Sequence, residues 1–95
     1  MTIESEKKLE KKLANDVKKL GGWSVKLLST YVKGLPDRIL LFNRGRLAFA
    51  EVKTTGKKAT KIQSLIHKKL TDLGFTVVVL DSSEAINQFL KQYQN

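Results

Sequence analysis

Asp37, Glu51 and Lys53 are the residues whose types and spacing are best suited to chemistry. In Leu47-Ala48-Phe49-Ala50-Glu51-Val52-Lys53, the two-residue period of a strand sends Leu47, Phe49, Glu51 and Lys53 to one face. That face begins apolar and ends in two opposite charges. A second strand-like run, Arg38 to Phe42, precedes it across Asn43-Arg44-Gly45. A three-residue loop with Gly45 left-handed pairs Phe42 with Arg46, and counting back along both strands sets Asp37 opposite Glu51. Directly opposed residues have Cβ atoms about 4.5–5.5 Å apart, near enough for two carboxylates to share one hard cation. A two-residue loop would set Asp37 against Val52, on the wrong face. Opposed like charges destabilise a sheet, so the pair is costly without a cation. The alternative is a structural ion cluster in which Lys53 neutralises the two carboxylates.

Other polar residues fall where a core is expected. On a helical wheel Ile3, Leu9, Leu13, Ala14, Val17 and Leu20 share an arc of about 140°, and Glu6 and Glu10 lie inside it one turn apart. A carboxylate among core residues needs a cation or a full set of donors. Gln63, three residues after Thr60, completes a capping box, yet it also flanks the apolar stripe Ile62, Ile66, Leu70 and Leu73. Lys57, Lys58 and Lys61 follow the carboxylate strand, where they suit either a solvated loop or phosphate contacts. Pro36 fixes the entry into the Asp37 strand. His67 reads as a surface helix residue, and Trp23 and Tyr31 as packing residues of core and loop.

Composition narrows the chemistry. The 95 residues contain no cysteine and one histidine, which removes thiolate sites, a thiol nucleophile and a multi-histidine cage. Catalysis is left to carboxylates, lysines and a borrowed hard cation. Eighteen Lys+Arg against nine Asp+Glu give a net charge of +9, which favours polyanions, nucleic acid first. A membrane is not an expected partner: no apolar run approaches the roughly 20 residues of a membrane helix, and the polar start is unlike a signal peptide.

The elements that must position these residues are legible. Residues 4–20 read as a helix stopped by Gly21-Gly22, and 23–28 as a strand. Strands at 38–42 and 46–53 follow, then a helix opening within 57–61 and running to Leu73. Phe75–Leu80 is a continuous apolar run, hence a strand covered on both faces. Ser82 or Ser83 caps a last helix with Ile86, Phe89, Leu90 and Tyr93 on one side. The expected class is α/β: a single domain over 1–95 in αβββαβα order, one small mixed sheet flanked by helices.

Pro36-Asp37 and Glu51-Val52-Lys53 after a hairpin resemble the PD-(D/E)XK nuclease superfamily. The wider string, Gly34-Leu35-Pro36-Asp37-Arg38, Phe49-Ala50-Glu51-Val52-Lys53 and Gln63, resembles its VRR-NUC branch in the small, stand-alone, virus-encoded form. The resemblance runs from the first helix to about Asp81. It implies a restriction-endonuclease-like domain that hydrolyses DNA phosphodiesters with Mg²⁺ or Mn²⁺. It assigns metal ligation to Asp37, Glu51, the Val52 carbonyl and a first-helix glutamate, Glu10 with Glu6 in reserve. Lys53 would orient the attacking water, and Gln63 would help order metal-bound water. It further implies a homodimer acting on branched DNA in the manner of a Holliday junction resolvase, inside a host cell. The rival reading of a basic, non-catalytic DNA-binding module accounts for the charge but not for the Asp37, Glu51 and Lys53 face.

Overall fold

Ser5 accepts a hydrogen bond from the Lys8 amide at 3.2 Å and starts α1, Glu6–Lys19, which stops at Gly21 in a left-handed conformation (φ 80°). In the computed structural model, which describes residues 2–28 and 31–94, β1 (Trp23–Lys26), β2 (Arg38–Leu41) and β3 (Leu47–Val52) follow. Next come α2 (Lys61–Asp72), β4 (Thr76–Leu80) and α3 (Ser83–Leu90), with single 3-10 turns at Asn43–Gly45 and Lys91–Tyr93. The order is the αβββαβα of the sequence reading. The strands lie β1-β2-β3-β4, the first two pairings antiparallel and the last parallel.

The hairpin register is the expected one. Leu41 faces Leu47 and Arg38 faces Ala50, and the Phe42 amide donates to the Arg46 carbonyl at 2.8 Å. Extended by one residue, this register sets Asp37 opposite Glu51. The turn itself differs in one respect: Arg44 (φ 64°) is left-handed as well as Gly45 (φ 70°).

Strand periodicity then divides β3 between two environments. Ala48, Ala50 and Val52 are buried in one core with Leu9, Leu13 and Val17 of α1 and with Ile86 and Leu90 of α3. Phe42 stacks on Tyr93 at 3.8 Å to close one end of that core. The other face carries Phe49, which meets Phe75 edge-on at 5.7 Å, and Glu51, beneath α2.

This second face is more open than the sequence suggested. α2 begins at Lys61, with Thr60 as its cap, and contains no fully buried residue; Ile62 and Leu65 are exposed, as is Leu73 just beyond it. β4 is not covered on both faces, since Val79 is 39% exposed. An apolar run implies two covered faces when the strand lies inside a sheet, whereas β4 has a neighbouring strand on one side only. Trp23 and Tyr31 are also exposed rather than packed; Trp23 opens the strand at the opposite edge.

Gly34 ties the loop before Asp37 to α2. Its φ is +89°, and a Cβ there would stand 2.7 Å from Ile62 Cγ2 and 2.8 Å from the Ile62 carbonyl oxygen. Gly56 has a similar φ of +86° with nothing within 4 Å, so it isolates the backbone cost. Gly34→Ala is expected to destabilise the fold by about 2 kcal/mol or more, lowering Tm by roughly 8–16 °C. Gly56→Ala should cost roughly half of that. Equal melting temperatures for the two variants would show that the contact with α2 carries no weight.

Candidate active site

Three elements converge on the open face. Asp37 stands immediately before β2, behind the buried Pro36, and the Leu27 amide fixes its carbonyl at 2.7 Å. Its carboxylate crosses to β3, where Oδ2 accepts a hydrogen bond from the Val52 amide at 2.9 Å. In a strand, the N–H and C=O of one residue point to the same side, so the Val52 carbonyl looks the same way as the amide that holds Asp37.

Glu51 is the most unusual residue of the protein, a carboxyl side chain only 1% exposed. Its Oε2 accepts a hydrogen bond from Gln63 Nε2 at 3.2 Å, and Lys53 Nζ lies 3.9 Å from the same oxygen. Gln63 performs both tasks open in the sequence: its Oε1 takes the Thr60 amide at 2.9 Å to complete the capping box while its Nε2 reaches Glu51. The second oxygen, Oε1, faces His67 Nε2 at 3.7 Å, and neither atom has a hydrogen-bond partner although both are buried. Burial pushes the Glu51 carboxyl up to about 8, Asp37 and Glu6 push the same way, and Lys53 opposes them. His67 is held below its usual value, first by burial and then by Lys53.

The two helix glutamates, expected near the carboxylate pair with Glu10 first and Glu6 in reserve, meet different surroundings. Glu10 is engaged by Arg38 Nε at 3.1 Å and Lys26 Nζ at 3.5 Å. Arg38 pairs with Ala50, whose side chain lies in the α1 core, so Glu10 is on the opposite sheet face from Asp37 and Glu51. Glu6, one turn earlier, sits where α1 meets the end of β3, its amide donating to Thr54 Oγ1 at 3.3 Å, and it is the α1 carboxylate whose charge reaches Glu51. The 100° wheel put both residues in one arc; only the cations contributed by β1 and β2 separate them.

His67 stands beside Glu51 and not on the surface as expected, since one histidine among lysines looks like a surface residue. The available signal was its spacing from Gln63: residues four apart share a helix face, so a helix that aims Gln63 at Glu51 aims His67 there too. Lys57, Lys58 and Lys61 are exposed at the rim, between β3 and the first turn of α2.

This donor chemistry suits a hard divalent ion. Two opposed carboxylates that repel each other, one of them buried with an unpartnered oxygen, become favourable when a cation joins them. Among the described residues no three His, Cys, Asp or Glu side chains form a closed cage. Mg²⁺ in particular is held by one or two carboxylates and otherwise keeps water and phosphate oxygens. Asp37, Glu51 and the Val52 carbonyl are the groups that would hold such an ion here.

No protein-family model matches the chain. The chain is 38% identical over 84 residues to "Putative nuclease p44" of Acyrthosiphon pisum secondary endosymbiont phage 1, covering 88% of this chain and 90% of that protein. A solved structure described as a VRR_NUC domain superposes with a TM-score of 0.88 at 25% identity, covering 95% of this chain and 99% of the other. Sequence and architecture therefore agree with the geometry of the Asp37, Glu51 and Lys53 face: the chain belongs to the VRR-NUC family of nuclease domains.

Proposed function

We propose that the protein is a divalent-metal-dependent endonuclease that hydrolyses DNA phosphodiester bonds, with a preference for branched DNA. The observation that carries this reading is Glu51, a buried carboxyl with one unpartnered oxygen, placed beside a second carboxylate and a lysine. Mg²⁺ or Mn²⁺ held by Asp37, Glu51 and the Val52 carbonyl would supply Lewis acidity toward the phosphate and a more acidic water. Lys53 lies beside the same carboxylate; it directs the attacking water and offsets negative charge developing on the phosphate. Gln63 fixes the Glu51 rotamer, and the Asp37 carboxylate is oriented by the Val52 amide. Glu6 adds negative charge where α1 approaches, which strengthens the hold on a cation.

The net charge of +9 and the exposed Lys57, Lys58 and Lys61 beside the site supply attraction for the DNA backbone. Log–log plots of affinity against salt are expected to slope by about −0.9 per neutralised phosphate on duplex DNA. The triple change of these lysines to Ala should flatten that slope by roughly two to three units. An unchanged slope would return them to the solvent. Two cuts across a branch need two sites, so the working form is proposed to be a C2 homodimer inside the host cell, checked by a sedimentation mass of twice the chain. Among the described residues, no helix is long and apolar enough to cross a membrane.

The test is cleavage of four-way junctions, forks, flaps and linear duplexes in Mn²⁺ against EDTA. Nicking that needs the metal and favours the branched substrates is the expected result. Absence of cutting on every substrate would leave only DNA binding.

A further inference from the structure

The chain has one histidine, and α2 carries it to the carboxylates. His67 leaves the same helix face as Gln63, whose amide already holds Glu51 Oε2. Its Nε2 stands 3.7 Å from Glu51 Oε1, longer than the 2.7–3.2 Å of an N–H···O hydrogen bond, and both atoms are buried without partners. Two donors on one divalent ion, each about 2.0–2.2 Å from it and roughly at right or tetrahedral angles, lie about 2.8–3.6 Å apart. The Glu51–His67 pair is therefore closer to the spacing of two ligands than to that of a bonded pair.

We propose that His67 is a nitrogen ligand of the ion held by Asp37 and Glu51, and that it biases the site toward Mn²⁺ and Zn²⁺ over Mg²⁺. The proposal rests on the reading of that carboxylate pair as a metal site. An imidazole suits borderline transition ions, whereas an all-oxygen set suits Mg²⁺, so the nitrogen changes which ion the site prefers. Asp37, Glu51 and His67 do not stand as a closed three-ligand set among the described residues, so ligation would draw the His67 ring in toward the two carboxylates. The remaining positions fall to the Val52 carbonyl, water and phosphate oxygens.

The experiment is Mn²⁺ binding to the untagged full chain, followed by electron paramagnetic resonance, with Mg²⁺ in competition. Because His67 is the only histidine, any imidazole nitrogen coupling in the electron spin echo belongs to it. The wild type is expected to show that coupling. His67→Gln is expected to lose it, with Mn²⁺ affinity falling tenfold or more and Mg²⁺ affinity changing less than about threefold. Asp37→Asn should weaken both ions. Mn²⁺ bound without imidazole coupling in the wild type, or an unchanged Mn²⁺ to Mg²⁺ ratio in His67→Gln, overturns the role of His67 while leaving the carboxylate site intact. A wild type that takes up no Mn²⁺, or an Asp37→Asn protein that binds it fully, overturns the carboxylate site as well. The wild-type echo decides the question even if His67→Gln does not fold.

Discussion

Lys53→Ala protein is expected to bind a divalent ion and to bind DNA nearly as well as the wild type, yet to cleave at least a thousandfold more slowly. The side chain is 17% exposed and its ammonium lies 3.9 Å from Glu51 Oε2, which sets a positive charge against the carboxylate proposed to receive the ion. Removing it deletes a preorganised charge from a shielded site, where a single such donor is worth about 10²–10³ in kcat. Loss of its hold on the attacking water should deepen the defect. DNA affinity should survive because the rest of the basic surface remains. Glu51→Gln should be equally inactive for a different reason, the loss of an anionic ligand, and its Mn²⁺ affinity should fall with its activity. Single-turnover cleavage of a four-way junction in Mn²⁺, set beside DNA binding in Ca²⁺, separates the two defects. Full activity in either variant would assign catalysis to another part of the chain.

The second large effect is on stability. Glu51 titrates near 8 in the folded chain against 4.5 as its ordinary value. Between those values the folded protein holds a proton that the unfolded chain has released. Stability of the metal-free protein must therefore fall as pH rises from 4.5 to 8 and level off above that. The shift corresponds to a loss on the order of several kcal/mol. Glu51→Gln imitates the protonated acid at all pH values. It should match the wild type near pH 4.5 and melt at least roughly 10 °C higher at pH 9 without metal. Mn²⁺ should close the gap by stabilising the wild type alone. Parallel melting curves for the two proteins across this pH range would show that Glu51 is not burdened by its surroundings.

The hairpin shows why so much of the site was legible. Asn43-Arg44-Gly45 is a local signal, and once its length is fixed the two-residue period places Asp37, Glu51 and Lys53 with no knowledge of the rest of the fold. The caps at Thr60 and Ser82 were equally local: each accepts from an amide three residues on. What escaped was set by tertiary partners. Glu10 pairs with Arg38 and Lys26, which stand 28 and 16 residues away in the chain. His67 stands beside Glu51 because α2 lies over β3, a packing choice that the stripe of Ile62, Ile66, Leu70 and Leu73 left undetermined. The exposure of Val79 and Trp23 followed from which strands end the sheet, an order that composition does not state.

The thinness of the packing beneath α2 has its own consequence. α1 and α3 share the main core, whereas α2 buries no residue fully and rests on β4, on the Gly34 contact and on the Glu51 interaction. A segment with so little apolar burial opens at a low free energy, as a unit separate from the sheet, and its amides exchange with solvent while those of β3 stay protected. Each opening withdraws Gln63 and His67 together from Glu51. A ligand that binds both the strand carboxylates and the helix raises the free energy of that opening. On the proposed function, substrate and cation would finish folding the part of the protein that receives them.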